Sequence, residues 1–145
     1  MEKDEILQKL KISYKKIQPL FMDVDEAKRF EEIYFKAEFE GEEVAHMIAS
    51  RVVSPEDFDE EKYFFEGRTI PFAAFGGTNE AYWGMGIGQK VNSFANDYYI
   101  KKIGENLYSD LDNSEAGKRT WSRMVEKGLA EKVMDNPDRW KFKKL

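Results

Sequence analysis

The clearest pattern along the chain is an alternation of apolar and polar residues that begins at residue 33 and ends near residue 53. Apolar side chains stand at every second position over residues 33–39, and after Glu40-Gly41 a second strand-like run covers residues 44–53. An extended chain points successive side chains to opposite faces, so the alternation buries one face. The two runs predict a β-hairpin, which is the strongest β signal in the sequence.

Beyond residue 86 the spacing of the apolar residues becomes helical. The first predicted helix ends at Gly104, and its apolar face consists of Ile87, Val91, Phe94, Ala95 and Tyr98. A second helix is predicted to begin near Asn113 or Ser114, where a short polar side chain can cap it, and to stop at Gly128. Its predicted buried residues are Ala116, Trp121, Met124 and Val125.

Weaker signals predict the remaining elements. They are a helix within residues 1–10, a strand over 12–17, a helix capped by Asp23 or Asp25, a helical turn at 54–57, strands at 63–65, 70–75 and 106–109, and a final hairpin of 129–133 and 139–142. Strands therefore come mostly first, followed by helix, strand, helix and strands. This order predicts a single α/β domain over residues 1–145, of the α+β type, with a mixed, mainly antiparallel twisted sheet flanked by helices.

The composition narrows the classes of function. A chain of 145 residues, 41% of them hydrophobic, is long enough to fold as one domain with its own core. It has no cysteine and the single histidine His46, which excludes thiolate and multi-histidine metal sites and a cysteine nucleophile. A net charge of -5 disfavours nucleic-acid binding, and no apolar run approaches the length of a membrane span. We therefore expect a soluble cytoplasmic protein. Asp and Glu oxygen sites remain the main metal option, and no residue is assigned as a metal ligand.

Three of the ten glycines fall in the short segment from Gly84 to Gly88, between a predicted strand and a predicted helix. Glycine lets the backbone turn tightly and approach a ligand, and a helix N-terminus offers unpaired amides to an anion. The segment therefore predicts a phosphate-binding loop. A P-loop is excluded, because Gln89 occupies the position of its second glycine and no Lys-Ser or Lys-Thr pair follows. The dinucleotide fingerprint fits poorly, since its third glycine would fall on Gln89 or Val91.

The segment Tyr82-Trp83-Gly84-Met85-Gly86-Ile87-Gly88-Gln89 resembles the acetyl-coenzyme A loop of the GNAT superfamily of N-acetyltransferases, which often reads Tyr-Arg-Gly-x-Gly-Ile-Gly. The resemblance implies that backbone amides of the loop hold the pyrophosphate of acetyl-CoA. The implied cofactor-binding residues are Gly84, Met85, Gly86, Ile87, Gly88 and Gln89. Trp83 stands where the family has Arg or Gln. The later part of the chain, from Leu107 to Ala130, looks like the ending of phage-encoded GNAT-like proteins.

The resemblance implies an acyl-CoA-dependent N-acetyltransferase that acts on an amine of a small molecule or a protein. Glu80 and Glu66, near the ends of the strand before the loop, are the candidates for the base that takes the ammonium proton. The family usually has a tyrosine general acid on the helix after its fifth strand. That helix carries Trp121 here, and Tyr108 is the nearest substitute. The alternative is a catalytically inactive GNAT-like interaction module, such as a phage inhibitor of a host defence protein.

Two further features are interpreted as structural. His46 lies inside an alternating strand, and we interpret it as a packed or surface histidine rather than a catalytic one. The acidic run over residues 56–61 is interpreted as a solvated turn. A partner-binding or DNA-mimicking edge and a carboxylate metal site are the alternatives for that run.

Overall fold

The computed structural model describes residues 2–19 and 22–143. In chain order the elements are α1 (Lys3–Lys9), β1 (Lys11–Ile17), α2 (Val24–Ala27), β2 (Phe30–Phe39), β3 (Glu42–Val52), β4 (Phe64–Phe65), β5 (Arg68–Thr69), β6 (Phe72–Thr78), α3 (Ile87–Ile103), β7 (Tyr108–Ser109), α4 (Glu115–Glu126), β8 (Ala130–Met134) and β9 (Arg139–Phe142). Two 3-10 turns lie at Glu61–Tyr63 and Glu80–Tyr82. The hairpin predicted from the alternation is β2 and β3, which pair along their whole length.

The main sheet has seven strands in the order β1-β2-β3-β6-β7-β9-β8. Its neighbouring strands are antiparallel except β6 and β7, which are parallel. The short strands β4 and β5 pair separately with each other. The predicted fold class, a mixed and mainly antiparallel sheet flanked by helices, is confirmed.

The parallel pairing of β6 with β7 is very short. It joins Phe72 to Tyr108 and Ala73 to Ser109, and within the described residues it ends there. On its other side β6 stays paired with β3 as far as Thr78. The edge of β6 beyond Ala73 therefore has no strand beside it in the described chain, and the sheet opens there into a gap.

The hydrophobic core lies on both faces of the sheet. The larger cluster lies under α3 and α4 and contains alternate residues of β2 and β3. Among its members are Phe35, Met47, Val91, Trp121 and Trp140. The smaller cluster contains Phe30, Val52, Tyr63, Ile70, Phe72 and Tyr108. Because Ala73 packs against the first cluster and Phe72 belongs to the second, the two clusters lie on opposite faces.

The long helices begin and end as their caps predict. Ser114 Oγ accepts a hydrogen bond from Gly117 N–H at the start of α4, and Gly104 ends α3 with φ +69°. The predicted burial of Ile87, Val91, Ala95, Trp121 and Met124 is confirmed, whereas Phe94 and Tyr98 are half-buried. The predicted burial of Ala116 and Val125 is wrong, because α4 packs through a narrow stripe and exposes both.

One further local prediction is wrong, and one predicted strand has different bounds in the structure. The helical turn predicted at 54–57 is absent, because Pro55 to Phe58 form a non-helical turn closed by a hydrogen bond from Phe58 N–H to the Pro55 carbonyl. The strand predicted over 70–75 begins after Pro71 and runs on to Thr78. Glycine weakens a strand signal, but Gly76 and Gly77 pair with Met47 and His46 of β3, so long-range pairing extends the strand.

Candidate active site

The glycine loop leads directly into the first turn of α3. Gly84 and Gly86 both have φ +80°, a left-handed conformation that favours glycine. No side chain caps the helix at Gly86, and Lys90 N–H donates to the Gly86 carbonyl at 3.2 Å. The amides of Ile87, Gly88 and Gln89 therefore precede the first bonded turn and have no partner within the helix. They form the positive end of a 17-residue helix.

The loop is anchored on one side and open on the other. Ile87 is buried and Met85 packs against the larger core cluster, which fixes the loop to the sheet. A Cβ atom built on Gly84 or Gly86 would meet no heavy atom within 4 Å outside its immediate neighbours. A Cβ atom on Gly88 would lie 3.8 Å from Thr78 Oγ1. The loop thus lies beside the end of β6 and leaves space for a ligand to reach its backbone.

The side chain of Trp83 anchors the loop to the sheet, a role that the resemblance to the GNAT loop does not imply. Its indole N–H donates to the Thr78 carbonyl at 2.7 Å, while 64% of the residue surface remains exposed. The side chain therefore ties the loop to the last residue of β6. It brings no charge to the loop, because an indole is neutral.

A lysine that the sequence did not suggest supplies positive charge near the loop. Lys127, at the C-terminal cap of α4, donates through Nζ to Gln89 Oε1 at 2.8 Å. This contact places an ammonium group beside the first turn of α3. The two residues are 38 positions apart, so no local motif could have paired them.

The three proposed catalytic residues lie near the two ends of β6, with Glu80 near its last residue and Glu66 and Tyr108 near its first. Glu80 is exposed in the 3-10 turn between β6 and the loop, and so lies close to the glycines. Tyr108 is opposite Phe72, six residues before Thr78, which is about 20 Å along a strand. Glu66 lies in the turn between β4 and β5, near Tyr108. The structure thus brings Glu80 to the loop, and Glu66 and Tyr108 to each other.

Arg68 connects the two distant candidates. Its guanidinium donates to the Tyr108 hydroxyl at 2.9 Å and lies 3.9 Å from a Glu66 carboxylate oxygen. It also pairs with Glu105 at 3.0 Å. Tyr108 is fully buried, and this burial raises the pKa of its hydroxyl. The arrangement keeps Tyr108 protonated and bonded to Arg68.

Two other kinds of feature are absent from the part of the chain that the structure describes. No group of three or more His, Cys, Asp and Glu side chains in residues 2–19 and 22–143 is arranged to hold a metal ion. In the same part of the chain, no helix combines the length and the apolar character needed to span a membrane.

Comparisons with known proteins place the fold. No protein-family model and no curated protein sequence matches the chain. The chain is similar to two structures of the aminoglycoside acetyltransferase meta-AAC0020 from an uncultured soil metagenome, in complex with trehalose and with sisomicin. These matches show 15% and 16% identity, TM-scores of 0.54 and 0.55, and coverage of 89% of this chain and 95% of theirs.

A third similar structure is the ribosomal-protein-S18-alanine N-acetyltransferase from Escherichia coli, at 11% identity and a TM-score of 0.51, covering 90% of both chains. At these identities the likeness concerns the fold. The chain has the fold of the GNAT N-acetyltransferases, and the resemblance drawn from the glycine loop is confirmed at that level.

Proposed function

We propose that this protein transfers the acetyl group of acetyl-coenzyme A to an amine of a small molecule or a protein. The observation that carries the proposal is the segment from Gly84 to Gln89. It presents three backbone amides that have no partner within the helix, beside a gap between the described strands of an acetyltransferase fold. Bound acetyl-CoA supplies an acetyl group activated as a thioester.

The residues at this position fit an anionic ligand. The amides of Ile87, Gly88 and Gln89 are suited to hold the pyrophosphate, since a helix N-terminus stabilises a phosphate through its amides and its dipole. Lys127 adds a positive charge where Trp83 does not. The free edge of β6 beyond Ala73 offers backbone N–H and C=O groups to the remainder of the ligand.

Thermal unfolding with added acetyl-CoA tests the binding step. A ligand that binds only the folded state stabilises it by about 2.7 kcal/mol at a hundred times its dissociation constant. We expect acetyl-CoA and CoA to raise the melting temperature. Pantetheine, which is the thiol arm of CoA without its phosphates, should raise it much less. An unchanged melting temperature at millimolar acetyl-CoA would contradict the proposal.

The transfer step can be followed through the thiol of the released CoA. The chain has no cysteine, so a thiol-reactive dye reports only this product. We expect thiol release from acetyl-CoA that depends on an added primary amine. Binding without release across a panel of amines and peptides would support the alternative, a noncatalytic interaction module. That alternative has one observation in its favour, the tie between Arg68 and the buried Tyr108 hydroxyl.

A further inference from the structure

Trp83 is an exposed tryptophan at the start of the glycine loop. It leaves 64% of its surface exposed, whereas the other two tryptophans, Trp121 and Trp140, are buried at 3% and 5% exposure. An indole is one of the largest apolar groups that a fold can bury, and an exposed indole gives up that stabilisation. The ring of Trp83 therefore has apolar surface available to a ligand.

The ring of Trp83 is also held in one place. The backbone N–H of Trp83 donates to the Glu80 carbonyl at 3.1 Å, and its indole N–H donates to the Thr78 carbonyl at 2.7 Å. The preceding residue, Tyr82, packs against the larger core cluster, with its ring centroid 6.1 Å from that of Phe39. A side chain that is already fixed loses little conformational entropy when a ligand binds to it.

The indole lies at the edge of β6 that faces the gap. Asn79 N–H donates to the Val44 carbonyl at 2.8 Å, across to the side of β3. Because the N–H and C=O groups of successive strand residues point to alternate sides, the Thr78 carbonyl points away from β3. It therefore points to the edge that, in the described chain, has no strand beside it beyond Ala73. Through its bond to this carbonyl, Trp83 lies at the open end of the gap, next to the glycine loop.

The two ends of the gap suit different parts of a CoA molecule. The gap closes at Ala73 and Ser109, where β6 pairs with β7, and the first turn of α3 lies beside Thr78 at its other end. CoA carries a narrow pantetheine arm on one side of its pyrophosphate and adenosine on the other. With the pyrophosphate at the first turn of α3 and the arm along β6 toward Ala73, the adenine is left at the open end. An aromatic side chain there can stack on the face of a nucleobase.

We propose that Trp83 stacks on the adenine ring of acetyl-CoA and makes the protein select CoA thioesters over thioesters of phosphopantetheine alone. The inference rests on the proposed function and deepens it, because it names the part of the acetyl donor that the protein recognises. The resemblance to the GNAT loop does not imply this contact, since that loop has Arg or Gln where this chain has Trp83.

Tryptophan fluorescence tests the contact without turnover. Because Trp121 and Trp140 are buried, a bound ligand can stack only on the ring of Trp83. We expect acetyl-CoA and the adenosine bisphosphate half of CoA to quench the fluorescence, and acetyl-phosphopantetheine, which lacks adenosine, to leave it unchanged. Trp83→Phe removes the exposed indole and should abolish the quenching. Equal quenching by acetyl-CoA and acetyl-phosphopantetheine would overturn the stacking on adenine.

Calorimetric titration of two variants tests the contribution of the ring to affinity. Trp83→Ala should weaken the binding of acetyl-CoA by about 5- to 150-fold, the usual effect of losing one stacked base, and leave the binding of acetyl-phosphopantetheine unchanged. Trp83→Phe keeps an aromatic ring without the hydrogen bond to Thr78, and should lose less affinity for acetyl-CoA.

The outcomes separate this inference from the proposed function. An equal loss of affinity for both ligands in Trp83→Ala would mean that the side chain only anchors the loop, and would overturn the stacking. An unchanged affinity for acetyl-CoA in that variant would also overturn the stacking and leave the proposed function standing. No binding of acetyl-CoA to the wild-type protein would contradict the proposed function itself.

Discussion

Gly86→Asp separates the folding role of the loop from its binding role. Gly86 has φ +80°, so any other residue there adopts a strained backbone. This costs about 1 kcal/mol of folding free energy. No steric cost is added, because a Cβ atom at Gly86 meets nothing within 4 Å. The new carboxylate lies at the N-terminal cap of α3, where the proposed pyrophosphate is held.

The effect on binding follows from charge repulsion. Two like unit charges about 5 Å apart repel by about 1 kcal/mol in water and about 3 kcal/mol at an effective dielectric constant of about 20. We therefore expect the affinity for acetyl-CoA to fall roughly 5- to 150-fold. The folding free energy should fall by only about 1 kcal/mol.

Gly67→Asp is the matched control. Gly67 has φ +77° and equally open surroundings, but it lies in the turn between β4 and β5, away from the loop. Urea unfolding should show a similar loss of stability in both variants. Calorimetric titration should show weaker binding of acetyl-CoA only in Gly86→Asp. Equal affinities in the two variants would refute the placement of the phosphate at this loop.

Two further predictions concern side chains away from the loop. Arg139 is 1% exposed and donates to the carbonyls of Ser109, Phe64 and Lys62. Arg139→Met should lower the free energy of unfolding by about 3 kcal/mol or more, and a midpoint within error of wild type would contradict this role. The raised pKa of Tyr34 stabilises the fold below pH 10, and this contribution is lost as the pH rises through about 12. Tyr34→Phe should therefore lose less stability than wild type over that interval in urea unfolding, and parallel losses would refute the argument.

The parts of the fold set by local physics could be predicted from the sequence. In β2 and β3 the alternation of apolar and polar residues predicts which side chains are buried. In α3 the apolar stripe does the same. Ser114 marks the start of α4 because its side-chain oxygen accepts a hydrogen bond from an amide in the first turn. Gly104 marks the end of α3 because a residue without Cβ readily adopts the left-handed conformation there. The glycine loop was found for the same reason, since turn, amides and helix start lie within six residues.

The contacts that complete the candidate site could not be predicted in this way. The extension of β6 through Gly76 and Gly77 depends on pairing with β3, and the contact of Lys127 with Gln89 depends on the packing of two helices. The alternating pattern predicts a packed or surface position for His46, and its half-buried position agrees with that prediction. The sequence gives no sign that Glu43 and Gly77 lie beside it.

The two-residue pairing of β6 and β7 also divides the main sheet along its sequence. In this sheet β1, β2, β3 and β6, which precede α3, lie on one side of the junction, and β7, β8 and β9, which follow it, lie on the other. The chain crosses from one side to the other once, through α3 and the exposed Gly104 that follows it. A break after Gly104 would yield one fragment with the glycine loop and another with Lys127. Such a break would therefore separate the proposed acetyl-CoA loop from the lysine that contacts it.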